Sequence, residues 1–174
     1  MKKLISAVLA LTMMLTLVAC GNNNNSNNDA GNAGTVEPEV IAAPDLTKYY
    51  DDFMLSLGED NAPFMMPGDP DTLAAFYPGL SDIATKQCVV QLAAMSAVAF
   101  EFALIECENA EDVEAVKAIL EARKTYQVEG GAWYPETCEN WEKAEIIVKG
   151  NCVVLILAGE QTADAVSAFN ALFA

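Results

Sequence analysis

The segment from residue 145 to residue 158 constrains the fold more than any other part of this sequence. Two strand-like apolar runs, Glu145–Lys149 and Cys152–Ala158, are separated only by Gly150 and Asn151. A two-residue link that contains Gly predicts a tight β-hairpin. In that register two apolar pairs lie directly opposite each other: Val148 with Val153, and Ile146 with Leu155. One face of the hairpin is therefore wholly apolar and must be covered by other elements.

Residue periodicity predicts the other elements. In chain order they are a helix over 45–57, a short helix over 71–77, strands over 88–95 and 97–107, a helix that starts after Asn109 and breaks at Gly130-Gly131, and a last helix from near Thr162. The Pro- and Gly-rich stretch 63–68 is assigned no element. The predicted fold is α+β: a four-stranded, mainly antiparallel sheet with helices packed on it, in the order α-α-β-β-α-β-β-α.

The first twenty residues predict export and lipidation. Two lysines precede an apolar run of about sixteen residues, and the run ends at Leu17-Val18-Ala19-Cys20. This pattern is typical of a bacterial lipoprotein signal peptide over 1–19, in which the thiol of Cys20 accepts a diacylglyceryl group. The alternatives are a plain secretory signal and an uncleaved anchor, but a spanning helix needs about 20 apolar residues.

The segment after Cys20 predicts a spacer. Residues 21–44 are rich in Asn, Gly and Ser and contain little that a core could bury. We therefore expect 20–44 to be a lipidated Cys followed by a disordered tether, and 45–174 to be a single extracytoplasmic domain. The predicted location is the extracytoplasmic face of the cell membrane, to which the lipid on Cys20 attaches the chain.

The charge balance argues against two classes of partner. Removing residues 1–19 takes away two of the nine basic residues and none of the 25 acidic ones, which leaves a net charge of −18. Such a chain is repelled by nucleic acid phosphates and by anionic lipid surfaces. We expect no nucleic acid partner; the predicted partner is an unidentified cell-surface protein or envelope polymer.

The sequence contains no His, and this limits the chemistry that it can support. Ser-His-Asp and Cys-His catalysis and His-ligated zinc are excluded. The cysteines do not form a CxxC motif, and the acidic residues do not follow the spacing of a calcium loop. The sequence therefore predicts no catalytic residue, no metal and no cofactor. A paired-carboxylate glycosidase is the alternative that composition leaves open.

Four cysteines follow Cys20, and their pairing is open. Strand alternation places Cys107 on the face of Ala103 and Ile105, and Cys152 on the face of Val154. One hypothesis is a cross-strand Cys107–Cys152 disulfide, which an exported protein could form. The other is that the thiols stay free and pack as small hydrophobic groups.

Aromatic residues surround the Gly130-Gly131 break. The candidate binding residues are Arg123, Tyr126, Trp133, Tyr134 and Trp141. Aromatic faces and a guanidinium beside a flexible break could stack on a sugar, a peptide or a wall fragment. The alternative is that they pack over the sheet. Exposed Met and Phe within 64–66 form a second candidate contact surface.

Several stretches together resemble a known family. They are residues 111–123, Tyr134-Pro135-Glu136, residues 144–151, and the apolar strand and amphipathic helix that follow. This set is similar to the family called domain of unknown function 4358, small lipoproteins of Gram-positive bacteria. The resemblance implies a lipid-anchored extracytoplasmic domain and no activity, cofactor or catalytic residue. Cys152, where an aromatic residue is expected, and Gly130-Gly131 depart from the pattern.

The expected function is therefore a noncatalytic, lipid-anchored module that binds a partner at the cell surface. A binding or sensing lipoprotein for a small molecule or a glycan is the alternative. A His-independent enzyme that acts through Arg, Tyr and carboxylates is the third possibility.

Overall fold

A sheet of five antiparallel strands forms the centre of the domain. The computed structural model describes residues 43–174, so the predicted signal peptide, Cys20 and nearly all of the predicted tether lie outside the described residues. The strands are Met65–Pro67 (β1), Thr85–Ala93 (β2), Phe100–Cys107 (β3), Glu145–Lys149 (β4) and Cys152–Ala158 (β5). Their order across the sheet is β1-β2-β3-β5-β4, and each neighbouring pair is antiparallel.

The predicted hairpin is confirmed in its register. Val148 pairs with Val153 and Ile146 pairs with Leu155 across β4 and β5. Gly150 adopts a positive φ of 57° in the two-residue turn, a conformation that suits glycine.

Five helices surround the sheet in the described part of the chain. They are Leu46–Leu57 (α1), Pro70–Phe76 (α2), Val113–Tyr126 (α3), Pro135–Glu142 (α4) and Thr162–Ala171 (α5). The carboxylate of Asp45 accepts a hydrogen bond of 2.9 Å from the amide of Lys48, and Asp69 caps α2 in the same way at 2.7 Å. These caps satisfy amides that have no partner within their helices. A π-helical turn, Gln127–Gly131, continues α3, and Gly130 within it has a φ of 123°.

Helices cover both faces of the sheet, so the core has two halves. On one face, Tyr49, Tyr50 and Phe53 of α1 pack around Phe102 of β3, and Phe169 of α5 packs against Tyr49. On the other face, α3 and α4 contribute Val116, Leu120 and Trp141, and Tyr77 follows α2. Because both faces are covered, every residue of β3 and β5 is buried.

The α+β class is confirmed, but the predicted number of strands and the predicted order of elements are wrong. The described elements follow the order α-β-α-β-β-α-α-β-β-α. Strand β1 lies within the stretch 63–68, for which the sequence predicts no element. The strand is short, contains Pro67 and occupies an edge of the sheet, where a missing backbone amide is tolerated. Helix α4 starts at Pro135, a residue favoured in the first turn, and it was not predicted after the Gly-Gly break.

The four cysteines of the described region are free, so of the two hypotheses the structure has free thiols and no Cys107–Cys152 bridge. The register pairs Ile105 with Val153, so the face that carries Ile105 and Cys107 is opposite to the face that carries Cys152. Alternation places Cys107 and Cys152 correctly within their own strands. It does not predict which face of β3 lies on the same side of the sheet as which face of β5. Cys107 and Cys152 are both buried among apolar side chains, which fits the alternative of small hydrophobic thiols.

A candidate ligand-binding cavity

A buried ion pair joins the sheet to α3 at the start of β3. Glu101 is 3 % exposed and Arg123 is 5 % exposed. The guanidinium donates two hydrogen bonds to the carboxylate, from Nε to Oε1 at 2.9 Å and from Nη2 to Oε2 at 2.8 Å. This two-point geometry is the strongest form of such a pair, and it fixes the orientation of both side chains.

Aromatic side chains enclose the pair. The hydroxyl of Tyr77 donates a hydrogen bond to Oε1 of Glu101. The guanidinium carbon of Arg123 lies 4.5 Å from the ring centroid of Phe76, 5.2 Å from that of Trp141 and 5.9 Å from that of Tyr77. These are cation–π distances, and removal from water strengthens such contacts.

The protonation states within the cluster are well defined. Burial, followed by the charge of Glu101, raises the pKa of Tyr77 well above its ordinary value, so the phenol stays neutral. Burial alone would lower the pKa of Arg123, but the hydrogen bonds and charge of Glu101 outweigh it, and the pKa is raised. The guanidinium therefore stays charged.

One nitrogen of this cluster has no partner. Within residues 43–174, Nη1 of Arg123 is buried and makes no hydrogen bond. Buried polar groups in folded proteins nearly always have an acceptor or a donor, and an unpaired one on a charged group is costly. Arg123 therefore retains hydrogen-bonding capacity that this domain does not use.

Two cavities meet at Arg123. The larger has a volume of about 400 Å³ and lies between the end of β2, the start of β3, α2, α3, the π-helical turn and α4. The smaller, of about 230 Å³, is lined by Ala75, Phe76, Pro78, Ala122, Arg123 and Tyr126. Phe76, Arg123 and Tyr126 line both cavities and so form the boundary between them.

Exposed apolar side chains line the larger cavity. Trp133 is 88 % exposed, and Met66, Phe76, Met95 and Tyr126 are also exposed. Single exposed apolar residues are common, but a group of them around one opening is a candidate binding surface. We refer to these five residues as the rim.

The π-helical turn positions part of the rim. A Cβ atom on Gly131 would lie 2.5 Å from Cε1 of Tyr126 and 2.8 Å from the carbonyl oxygen of Tyr126. Only glycine lets the chain pass this close to Tyr126 before it reaches Trp133. The Gly130-Gly131 pair therefore helps to position Trp133 in the rim.

Comparison with known proteins identifies the family. The model of the family "Domain of unknown function (DUF4358)" matches residues 48–158. The chain belongs to this family. No curated protein and no solved structure matches it.

The DUF4358 match includes the cavity. It extends from α1 to the end of β5, so Glu101, Arg123 and both tryptophans lie inside it. Among the described residues of this DUF4358 protein, no group of three or more Cys, Asp or Glu side chains is placed to hold a metal ion. In the same region no helix is long and apolar enough to cross a membrane.

Four of the five candidate binding residues are brought together in this DUF4358 domain. Arg123, Tyr126, Trp133 and Trp141 line the larger cavity. Tyr134 lies instead in a neighbouring depression that includes Ala97, Pro135, Glu136 and Thr137. Trp141 is 4 % exposed and Arg123 is buried, so these two also serve the core.

Three members of the cluster were not among the candidate residues. Glu101, Phe76 and Tyr77 come from β3 and from the end of α2, far from the Gly-Gly break in the sequence. A carboxylate flanked by apolar residues in a strand was the available signal for Glu101. Its partner lies 22 residues further along the chain, and no local pattern indicates that distance.

Proposed function

We propose that this protein is a lipid-anchored extracytoplasmic module that binds a ligand in the cavity at Arg123 and catalyses no reaction. The observation that carries this proposal is that Arg123, which lines both cavities, has a buried Nη1 without a hydrogen-bond partner. A ligand oxygen that accepts this hydrogen bond would remove the cost of the buried unpaired donor, about 1–3 kcal/mol or more for a charged group.

Packing alone does not account for the site. Core packing explains why Trp141 and Tyr77 are buried, but it does not explain why Trp133 is 88 % exposed next to them. An aromatic side chain that is kept in solvent beside a cavity of about 400 Å³ fits recognition of a ligand.

The state of Glu101 supports a noncatalytic role. Its Oε1 accepts hydrogen bonds from Arg123 and Tyr77, and its Oε2 accepts one from Arg123. A carboxylate that acts as a base or a nucleophile needs free access to the reacting atom. The carboxylate of Glu101 is instead occupied in holding Arg123 in place.

The position of the cavity fits a module held by its N-terminal side. Gln87 near the start of β2 donates a hydrogen bond of 2.9 Å to the carbonyl of Pro44 and accepts one of 2.9 Å from the amide of Leu46. The cavity lies near the other end of β2, at Leu92, about 17 Å away at 3.3 Å per residue. If Cys20 carries the lipid and 20–44 forms the tether, the cavity lies near the end of β2 that is farther from the tether. An envelope polymer or a solute would then reach it.

Titration of ligand panels tests this proposal. The chain has two tryptophans, Trp133 and Trp141, and both line the cavity, so tryptophan fluorescence reports directly on its occupancy. We expect a glycan, peptide or metabolite in the panels to shift the emission and to raise the melting temperature.

A pair of variants localises the binding. Trp133→Ala should weaken binding at least tenfold and leave the melting temperature of the free protein unchanged, because the side chain is exposed. Leu55→Ala is the matched control, since Leu55 is 78 % exposed on α1, away from the cavity, and should bind normally. Ligand binding that is unchanged in Trp133→Ala would contradict the proposed site.

A partner protein that docks on the rim is the second candidate. The rim of Met and aromatic side chains favours it, because such side chains adapt to apolar partners. Capture from detergent-solubilised envelope should then yield one consistent protein. The yield should fall with Trp133→Ala and not with Leu55→Ala.

A further inference from the structure

We propose that the ligand is a neutral N-acylated saccharide, whose ring occupies the larger cavity and whose acyl group occupies the smaller one. This inference rests on the ligand-binding function proposed above and adds the chemical class. It depends on three observations: the charge balance at Arg123, the chemistry of the larger cavity and the apolar lining of the smaller one.

The charge balance favours a neutral ligand. Glu101 neutralises Arg123 through two hydrogen bonds, so the cavity wall presents a hydrogen-bond donor without net charge. An anionic ligand at Nη1 would come close to the Glu101 carboxylate and would be repelled by a chain of net charge −16. A neutral carbonyl oxygen accepts the same hydrogen bond without that repulsion.

The larger cavity suits a hydroxylated ring. Trp133 and Tyr126 are exposed and provide aromatic faces, which carry partial negative charge and attract the C–H groups of a sugar ring. Ser96 and Gln127 on the same wall provide a hydroxyl and an amide, each of which can both donate and accept hydrogen bonds. This mixture of aromatic and polar groups matches the alternating C–H and O–H groups of a saccharide.

The smaller cavity suits an acyl group. Ala75, Pro78 and Ala122 provide an aliphatic lining, and Arg123 lies at its boundary with the larger cavity. A ligand that spans the boundary would have an acceptor oxygen between a polar part and an apolar part. An N-acyl sugar has this order of groups: ring, amide carbonyl and alkyl end.

Access to Nη1 requires a side chain to move. The nitrogen is shielded from solvent, and the ring of Phe76 lies 4.5 Å from the guanidinium carbon. Phe76 is 42 % exposed and belongs to the boundary of both cavities. The proposal therefore requires this partly exposed ring to rotate when the ligand binds, so that Nη1 becomes accessible to the acyl carbonyl.

A comparison of two saccharides tests whether the ligand is an N-acylated saccharide. The full-length lipoprotein, purified in detergent, is titrated with triacetylchitotriose and with cellotriose, which has similar rings but no acyl groups. We expect triacetylchitotriose to bind at least tenfold more tightly, because only it offers a carbonyl to the charged donor and an apolar group to the smaller cavity.

A filled cavity provides the matched variant. Ala122→Leu places a larger side chain in the smaller cavity from an exposed position on α3, so the fold should be retained. It should reduce the preference for triacetylchitotriose to less than about threefold and leave cellotriose binding unchanged. Ala118→Leu is the control, because Ala118 is exposed on the same helix and does not line either cavity.

Three kinds of result would overturn the inference or the function on which it rests. Equal binding of the two saccharides, or a preference that survives Ala122→Leu, would remove the acyl group from the proposal. If an N-acetylated peptide or an anionic solute binds in a Trp133-dependent manner while neither saccharide does, the saccharide class is wrong and the ligand-binding function stands. If Trp133→Ala has no effect on any ligand that binds, the proposed function itself fails.

Discussion

At the residue scale, the contribution of the Arg123–Glu101 pair to stability depends on both charges being present together. Each charge alone would be costly to bury, and the two hydrogen bonds between them offset that cost. Removal of one partner therefore has a larger effect than removal of both.

We predict that Arg123→Met lowers the free energy of unfolding by about 3–5 kcal/mol, because it leaves the carboxylate of Glu101 buried without its counterion. The double variant Glu101→Met, Arg123→Met should recover most of this loss, since two apolar side chains of similar length replace the pair. Urea unfolding of the two single variants, the double variant and the wild type measures the coupling. Additive losses would show that the two residues are not coupled.

Tyr77 gives a second prediction, for alkaline pH. Burial and the charge of Glu101 raise the pKa of Tyr77 well above its ordinary value of about 10, so the folded state holds the phenol proton more tightly than the unfolded chain. The stabilising effect of the neutral phenol is complete below pH 10 and is lost as the pH rises towards the folded pKa. Tyr77→Phe should make the decline of stability above pH 10 shallower by up to about 1.4 kcal/mol per pH unit.

The measurement is urea unfolding of Tyr77→Phe and wild type at several values between pH 8 and pH 12. Tyr49 and Tyr50 remain in both proteins, and burial raises the pKa of each, that of Tyr50 to about 12. The wild type and the variant therefore share the contributions of these two tyrosines. Identical slopes would contradict the prediction that the folded state holds the Tyr77 proton more tightly than the unfolded chain does.

At the scale of elements, the π-helical turn decides where the rim lies. We predict that Gly131→Ala destabilises the domain by about 1–3 kcal/mol, because the new Cβ would lie 2.8 Å from a backbone oxygen of Tyr126. The shift that relieves this contact should displace Trp133 and weaken ligand binding. Ala118→Gly is the control; it costs about 1 kcal/mol in the interior of α3 and should leave binding unchanged. If Gly131→Ala binds ligand normally, the turn does not determine the geometry of the binding site.

Most of the elements could be predicted from the sequence, because their signals are local. The hairpin of β4 and β5 depends on a two-residue turn, and α1 depends on an apolar stripe that ends at Gly58. Strand β1 has three residues and is held in an extended conformation by its pairing with β2, so the sequence around Met65 carries little signal for a strand. Helix α4 has eight residues, of which Thr137 and Trp141 are buried, so it gives only a short apolar signal after the Gly-Gly break.

The candidate site could be predicted in part, and the reason is again distance along the chain. Arg123, Tyr126, Trp133 and Trp141 are near one another in sequence, so their grouping was visible. Glu101 alternates with apolar residues along β3, a pattern that ordinarily places a carboxylate in solvent, but helices cover both faces of the sheet and leave it buried. Its pairing with α3 follows from tertiary packing alone.

At the scale of the whole molecule, charge and attachment act together. A chain of net charge −16 is repelled by anionic membrane surfaces, so direct contact of the domain with such a membrane is unfavourable. A lipid on Cys20 would supply the attachment that the surface of the domain does not. Two acyl chains hold a protein stably on a membrane, whereas a single chain gives marginal binding.

We predict that Cys20→Ser abolishes incorporation of labelled palmitate and moves the protein from the membrane fraction to the soluble fraction. The expected reason is that the Ser hydroxyl does not replace the thiol as the acceptor of the diacylglyceryl group. Cys88→Ser is the matched control, because Cys88 is an exposed cysteine of β2 outside the predicted lipidation motif, and it should leave both labelling and location unchanged. The purified Cys20→Ser protein should melt at the wild-type temperature, since Cys20 precedes the region that matches the family. Retention of Cys20→Ser in the membrane fraction would indicate an uncleaved anchor, and release of the wild-type protein without label would indicate a plain secretory signal.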